Sequence, residues 1–442
     1  MKIVVGAEAG RRTVLLRRPL GEMEIPAAAR DLSHRVFGAD ISPAEAVARI
    51  IADVRAQGDD ALLRYAEAFD GAAPASLSVA PEETKAAYGA VDEKLVEALR
   101  FAADRVRAFH EMQMEHCQKS FSRDGLGMRV RPIERVGVYA AGTSVVYPSS
   151  ILMAVLPAKV AGVSEVYVVS PAGPDGRVSP LKLIAADIAG ANGVFCASGA
   201  QAIAAMAFGT QTIPRADKIC GPGNLFVTLA KQQLYGTVGI DAMYGPTETV
   251  IIADESADAG LCAADLLAQA EHDAMARPIL LTPSLPFAKA VEEEIERQLA
   301  KIERSDVARI ALANGGAVVT DGLEEALALA NEFAPEHLCL LVRHPGRWVE
   351  HVRNAGGLFV GESSPEAMGD YTAGPSHVMP TGGSARYSSP LNVLDFLKIT
   401  NVVETGDEAL RALGPTAAAI ARAEGLAAHA RAIEKRLKKM DR

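Results

Sequence analysis

The sequence predicts an α/β protein: two Rossmann-like parallel-sheet domains of similar design, with a helical N-terminal segment and a helical C-terminal tail. Three observations carry this expectation. Short apolar runs alternate with stretches of helical spacing, as buried parallel strands alternate with crossover helices. The runs fall into two series. The 442 residues, 49% hydrophobic and 23% charged, are enough for about two to four domains with ample core.

The first series is VGVYAAG (136–142), EVYVVSP (165–171), GVFCASG (193–199) and DKICGPG (217–223). The second is ETVIIAD (248–254), PILLT (278–282), GAVVT (316–320), HLCLLV (337–342) and GLFVG (357–361). Ahead of them, residues 43–69 have helical spacing broken into two helices by GDD, and 81–116 read as helical and charged. The division that follows is an N-terminal segment (1–35), a first α/β domain (36–138 with 246–390) and a second α/β domain (139–245), then a tail (391–442). The stretch 362–390, rich in Gly, Pro, Ser and Thr, reads as a loop dense in polar groups. The tail's apolar stripe through Leu426, Ile433, Leu437 and Met440 needs burial on its own body or on a partner.

A net charge of −10 and a pI near 5.5 argue against a nucleic-acid partner. No apolar stretch reaches the length of a membrane span, and the N-terminus does not read as a signal peptide. Cysteines 117, 196, 220, 262 and 339 are odd in number and form no CxxC, which fits a reducing cytoplasm.

Five segments could carry chemistry. CGPGN (220–224), between a strand and a helix, offers backbone amides to a phosphate or is simply a tight turn. In DLLAQAEHD (265–273), helical spacing puts Asp265, Gln269 and His272 on one stripe. That stripe is either a metal-binding convergence or a solvated face. In GDYTAGPSHVMPTGG (369–383), Asp370 follows a strand end, where α/β sites sit, or makes an ordinary Asx-turn. In EGLAAHARAI (424–433), Gly425 breaks the helix and His429 falls on the apolar stripe, as a ligand or as a packed histidine. In FAPEHL (333–338), Glu336 and His337 stand side by side at a strand entrance. Strand neighbours point to opposite faces, but the backbone after a proline is less regular and both could reach one cleft. There they would offer two bases of different strength. The alternative is a surface acid and a half-buried imidazole. No histidine is adjacent to Cys196, Cys220, Cys262 or Cys339, so none of these is expected to be a nucleophile.

In order and spacing, RVGVYAAG, GAQAIAAMAFGT, PRADKICGPGN, DLLAQAEHD, FAPEHL, MGDYTAGPSHVMPTGG and EGLAAHA resemble the histidinol dehydrogenase family over nearly the whole chain. The resemblance implies a cytoplasmic zinc enzyme that uses two NAD to oxidise L-histidinol, through L-histidinaldehyde, to L-histidine. It implies one zinc per subunit on Gln269, His272, Asp370 and His429, with NAD on the 139–245 domain at Tyr139, Gln201 and Asn224. Substrate would be met by Thr247, Gln269, His272, His337, Asp370, His377, Glu424 and His429. The tail carrying Glu424 and His429 would come from the neighbouring subunit of a homodimer. His337 would be the general base for both hydride transfers, and Glu336 would activate water for attack on the aldehyde. No nucleic acid or membrane partner is implied.

The chain departs from the family pattern at Tyr244 and Thr247, where the family usually has Ala and Ser. It departs also in AAGTS after Tyr139, and at Cys339, where the family usually has Glu. These changes raise a second reading, a paralogue oxidising another small polar alcohol such as a sulfonated diol. A metal hydrolase working without NAD, or a zinc-binding protein without activity, would be separated from both by NADH formation.

Overall fold

The computed structural model describes residues 1–17, 34–38, 41–142 and 146–441. The chain forms two compact units, one of Met1–Met114 with Ile133–Phe396, the other of Glu115–Pro132 with Leu397–Arg442.

The larger unit holds two parallel sheets. Strands β1 (Ile3–Val5), β9 (Glu248–Ala253), β10 (Arg277–Thr282), β11 (Gly316–Val319), β12 (His337–Leu341) and β13 (Gly357–Val360) form a six-stranded sheet. Its order is β1-β11-β10-β9-β12-β13. Strands β4 (Arg135–Tyr139), β5 (Glu165–Ser170), β6 (Gly193–Cys196), β7 (Lys218–Cys220) and β8 (Gly239–Ile240) form a five-stranded sheet ordered β6-β5-β4-β7-β8. Each apolar run read from the sequence is one of these strands. The exceptions to that reading are β1 and β8, too short for any periodicity to show.

The strands are apolar throughout because helices cover both faces. In β9 and β12, Ile251, Ala253, Cys339 and Leu341 face one core, and Val250, Ile252, Leu338 and Leu340 the other. Each such Leu or Ile contributes about 1.5–3 kcal/mol by leaving water.

Both sheets change winding direction in the middle. In the five-stranded sheet this happens between β4 and β7, and in the six-stranded sheet between β9 and β12. Such reversals open a crevice where neighbouring connections part. The helix Ala259–Ala270, capped by Asp258, runs back along β9. Its last turn therefore comes level with the strand's start. This brings Gln269 to the amino ends of β9 and β12.

In the smaller unit, β2 (Phe121–Arg123), β3 (Leu126–Pro132) and β14 (Leu397–Val403) form an antiparallel sheet that the sequence did not reveal. β3 and β14 mix apolar with polar residues and bury few of them, so no continuous apolar run marks them. The tail is two helices, Asp407–Ala423 and Ala427–Met440, broken at Gly425 in the left-handed region at φ 79°. They pack on each other through Ala418, Ala421, Ala430 and Ile433. Among the described residues no helix is long and apolar enough to cross a membrane.

Candidate active site

A cavity of about 500 Å³ in the larger unit gathers most of the residues singled out above. The carboxyl ends of β4 and β7 contribute Ala141, Pro222, Gly223 and Asn224. The amino ends of β9 and β12 contribute Thr247, Glu336 and His337, and the surrounding segments add Gln269, His272, Asp370 and His377. For the six-stranded sheet this corrects the expectation that the site lies at carboxyl ends. The chain after β13 folds back, so Asp370, on the helix Glu366–Tyr371, returns to the start of β12.

Glu336 precedes β12 and His337 is its first residue, and both reach the cavity. The Glu336 carboxylate accepts from the Thr247 hydroxyl at 2.6 Å and from the Glu248 backbone N–H at 3.1 Å. Thr247 in turn accepts from Gln269 Nε2 at 2.5 Å. A three-membered chain thus runs from Gln269 through Thr247 to Glu336. Glu248 is itself buried and paired with Arg17 at 2.5 Å, which pins the backbone that serves the site.

His337 Nδ1 lies 3.2 Å from the Glu248 carbonyl and 3.1 Å from Gln269 Nε2. The Gln269 amide already has Thr247 as acceptor, while a carbonyl can only accept. We therefore assign the proton to Nδ1, donating to Glu248. Nε2 is then the basic nitrogen. It is buried with no hydrogen-bond partner among the described residues, 3.9 Å from Asp370 Oδ1. The ring stacks on Phe359, 5.9 Å between centroids.

Burial pushes Glu336 up to about 7, against the opposing pull of His337 and Thr247. Burial works against charge on His337 too, but Glu336, Asp370 and Glu366 outweigh it and raise the imidazole to about 10. Burial would also raise Asp370, yet His337, His377 and His272 hold it below its usual range. The site is a cluster of carboxylates that favours positive charge in its middle.

His272 lies beyond the end of its helix, not on a helical stripe with Asp265 and Gln269 as the spacing suggested. The helix stops at Ala270, and a turn carries His272 to the cavity, stacked on Tyr147 at 5.6 Å. His377 is held at both nitrogens, by the Asp370 carbonyl at 2.8 Å and the Ser150 hydroxyl at 3.0 Å.

Tyr139 and Gln201 come together elsewhere, at the start of the helix Gly199–Phe208. The Tyr139 hydroxyl accepts from the Gly199 N–H at 3.0 Å, and Gln201 donates to Ser198 at 3.0 Å. Both are buried and neither is among the residues lining the cavity. Asn224 does line it, and caps the helix Leu225–Leu234 through the N–H groups of Phe226 and Val227. Glu424 and His429 belong to the smaller unit, at the break between the tail helices, and both are exposed.

Of the departures from the family pattern, Cys339 is buried in the core beside Glu366, behind His337 and off the cavity wall. Tyr244 and Thr247 are on that wall. Thr143 and Ser144 of AAGTS lie outside the described residues.

Glu366 was missed. It is buried, accepts from Thr249 at 2.6 Å, and leaves Oε1 without a partner. Burial pushes it up to about 7. The only signal for it in the sequence was its place four residues before Asp370, one helical turn away.

Gln269, His272 and Asp370 offer the cavity an amide oxygen, an imidazole and a carboxylate, a donor set that suits zinc. The Gln269 hydrogen bond to Thr247 uses Nε2, which leaves Oε1 outside it. Among the described residues no three His, Cys, Asp or Glu side chains form a metal cluster, so this set needs the glutamine and one further donor. For a dinucleotide, the turn after β7 is a glycine cradle. Gly221 has φ +106°, and a Cβ there would stand 2.3 Å from the Tyr139 carbonyl oxygen. One at Gly223 would stand 2.4 Å from Val227. The N-terminus of the helix Leu225–Leu234 opens on the cavity, a favourable place for phosphate.

Known proteins similar to this chain share one description. The family profile described as histidinol dehydrogenase matches residues 38–437. The histidinol dehydrogenase of Deinococcus radiodurans is 49% identical over 442 residues, covering 99% of this chain and 100% of that one. That of Thermus thermophilus is 50% identical over 409 residues, covering 91% and 97%. The crystal structure of histidinol dehydrogenase from Elizabethkingia anophelis superposes with a TM-score of 0.89 at 32% identity, covering 100% and 99%.

Proposed function

The chain belongs to the histidinol dehydrogenase family, and on that premise we propose that its cavity oxidises L-histidinol through L-histidinaldehyde to L-histidine. It is an NAD-dependent dehydrogenase, and two NAD are consumed per histidinol. The observation that carries the residue roles is the buried, unpartnered Nε2 of His337 beside the Glu336 carboxyl in one cavity.

His337 Nε2 takes the proton of the substrate hydroxyl as hydride leaves the carbinol carbon. A base so placed is worth about 10²–10⁴-fold. Nδ1 keeps its proton on the Glu248 carbonyl, and a cation bound at Asp370 would offset the carboxylates that raise the imidazole, leaving Nε2 free to act as the base. Glu336 then takes a proton from water as the water oxygen adds to the aldehyde carbon, while His337 gives its proton to the aldehyde oxygen, so the hydrate forms and the imidazole is a base again. The thiol-free route suits a site whose nearby Cys339 is sealed in the core with its proton held by burial. His337 deprotonates the resulting hydrate, and the second hydride leaves to give the acid. The Gln269–Thr247 chain keeps Glu336 aimed while its charge changes.

Zinc, when bound, would polarise the alcohol oxygen and fix the substrate, held by Gln269, His272 and Asp370 with His429 as the fourth donor. NAD would accept each hydride, its phosphates on the 220–224 turn by Asn224, with Tyr139 and Gln201 on the same domain. Thr247 and His377 would line the substrate site. A homodimer in which the partner's tail delivers His429 and Glu424 fits their exposure, as do Leu413, Ile420 and Leu426, apolar and exposed on the tail. Glu424 would hold the substrate's imidazole. The cytoplasm suits its five free thiols.

The test is NADH counted per L-histidinol consumed by zinc-loaded protein. The expected result is two, lost on adding a chelator. No NADH from folded, zinc-loaded protein overturns the proposal.

A further inference from the structure

Lys231 and Asp241 form an ion pair at 2.6 Å, with side chains 1% and 2% exposed. Burying both charges has a desolvation cost that a stability argument alone seldom recovers. What this pair holds is specific. Lys231 donates to the Gly221 carbonyl at 2.6 Å, and Asp241 accepts from the Gly221 N–H at 2.7 Å. Both main-chain groups of one glycine are thus clamped by a single ion pair.

Tyr244 joins the same network. Its hydroxyl donates to Asp241 at 2.8 Å and its ring lies 4.9 Å from Lys231 Nζ. Its carbonyl accepts from Thr228 on the helix that starts at the turn, at 3.0 Å. The remaining bonds of the pair go to the Ala242 backbone, at 3.5 Å from Lys231 and 2.7 Å to Asp241. The network is satisfied throughout, and a satisfied buried network is rigid. It ties three pieces together: the 220–224 turn, the helix behind it, and the segment that leads to Thr247.

We infer that Tyr244, acting through Asp241 and Lys231, is a positioning residue that presets the 220–224 turn for the dinucleotide. This rests on the proposed reading of that turn as the NAD site. The tyrosine adds a third contact to the clamp and thickens the cavity wall beside Thr247. The two atoms that hold Gly221, Lys231 Nζ and Asp241 Oδ2, lie in one desolvated cluster. Loss of the hydroxyl would loosen Asp241 without removing either charge.

The test is calorimetric titration of NAD into the full-length protein, wild type against Tyr244→Phe, with no alcohol present. We expect Kd to weaken by about 3–10-fold with stoichiometry unchanged, the size of one lost hydrogen bond. A role in folding alone would lower the stoichiometry and leave Kd in place. The double variant Lys231→Met/Asp241→Asn, which removes both charges together, is expected to lose more than Tyr244→Phe. In steady state, the KM for NAD should rise by a larger factor than kcat falls. Wild-type NAD binding with an unchanged Kd in Tyr244→Phe would overturn the inference alone. No NAD binding by the wild type would overturn the reading of the turn along with it.

Discussion

Glu336 is held by the Thr247 hydroxyl as well as by the His337 charge beside it. Its carboxylate is buried, and the Thr247 hydroxyl at 2.6 Å is one of its two donors. Thr247→Val keeps the shape and removes the bond, leaving a buried acceptor short of a partner. A hydrogen bond to a charged group is worth about 1.5–3 kcal/mol, so kcat/KM for histidinol should fall by about 10–100-fold. Thr247→Ser should stay within a few-fold, and equal losses in the two variants would contradict the hydroxyl's role. Glu336→Gln probes the acid itself. It keeps the geometry but cannot take a proton from water. The expected outcome is one NADH per histidinol instead of two, with aldehyde accumulating; both steps at wild-type rate would exclude the assignment. Glu336 and His337 were legible as a pair, since an acid and an imidazole at a strand entrance are rare in a core. Glu366 and Arg17 were not, because each meets the site through a residue far away in the chain.

At the scale of elements, the end of β4 is held by a buried lysine. Lys182, on the helix Pro180–Ala189, donates to the carbonyls of Ala140 and Gly142 at 3.1 and 2.6 Å and to Ser170 at 2.9 Å. These partners are all neutral, and burial lowers its pKa from 10.5 to about 8. The unfolded chain therefore keeps this proton up to a higher pH than the folded chain does. Between about pH 8 and 10.5 the unfolded state binds more protons, and stability attributable to Lys182 rises with pH. Urea midpoints at pH 7.5 and 9.5 should show the wild type gaining on Lys182→Met over that interval. A pH-independent difference between the two would rule out the shift. The strands at this scale were plain in the sequence, as apolar runs of the right length. The exact reach of the helices was not: the helix before His272 stops at Ala270, and only the turn beyond it delivers the imidazole.

At the scale of the whole molecule, the proposed homodimer makes a prediction independent of any single rate. His429→Ala spoils the tail and His337→Ala spoils the body of the site. If each site joins one subunit's body to its partner's tail, a mixed dimer of the two inactive variants has one intact site. Random reassociation after mixing should restore about a quarter of wild-type activity. No recovery, with mixed dimers shown by mass, would place the tail residues in their own subunit's site.

What the sequence determined by itself was local. Short apolar runs marked most strands of the two parallel sheets and a period of 3.6 marked the tail helices, because a strand covered on both faces is apolar throughout and a helix covered on one side carries a stripe. The motifs and their order pointed to the family. The tertiary structure decided which of the motif residues meet. Strand order, β6-β5-β4-β7-β8 in one sheet and β1-β11-β10-β9-β12-β13 in the other, puts the carboxyl ends of the first and the amino ends of the second around one cavity. Only there do Gln269, Thr247, Glu336, His337 and Asp370 converge, while Tyr139 and Gln201 meet apart from them. Convergence of this kind depends on the direction in which each crossover returns, and periodicity along a chain carries no record of that.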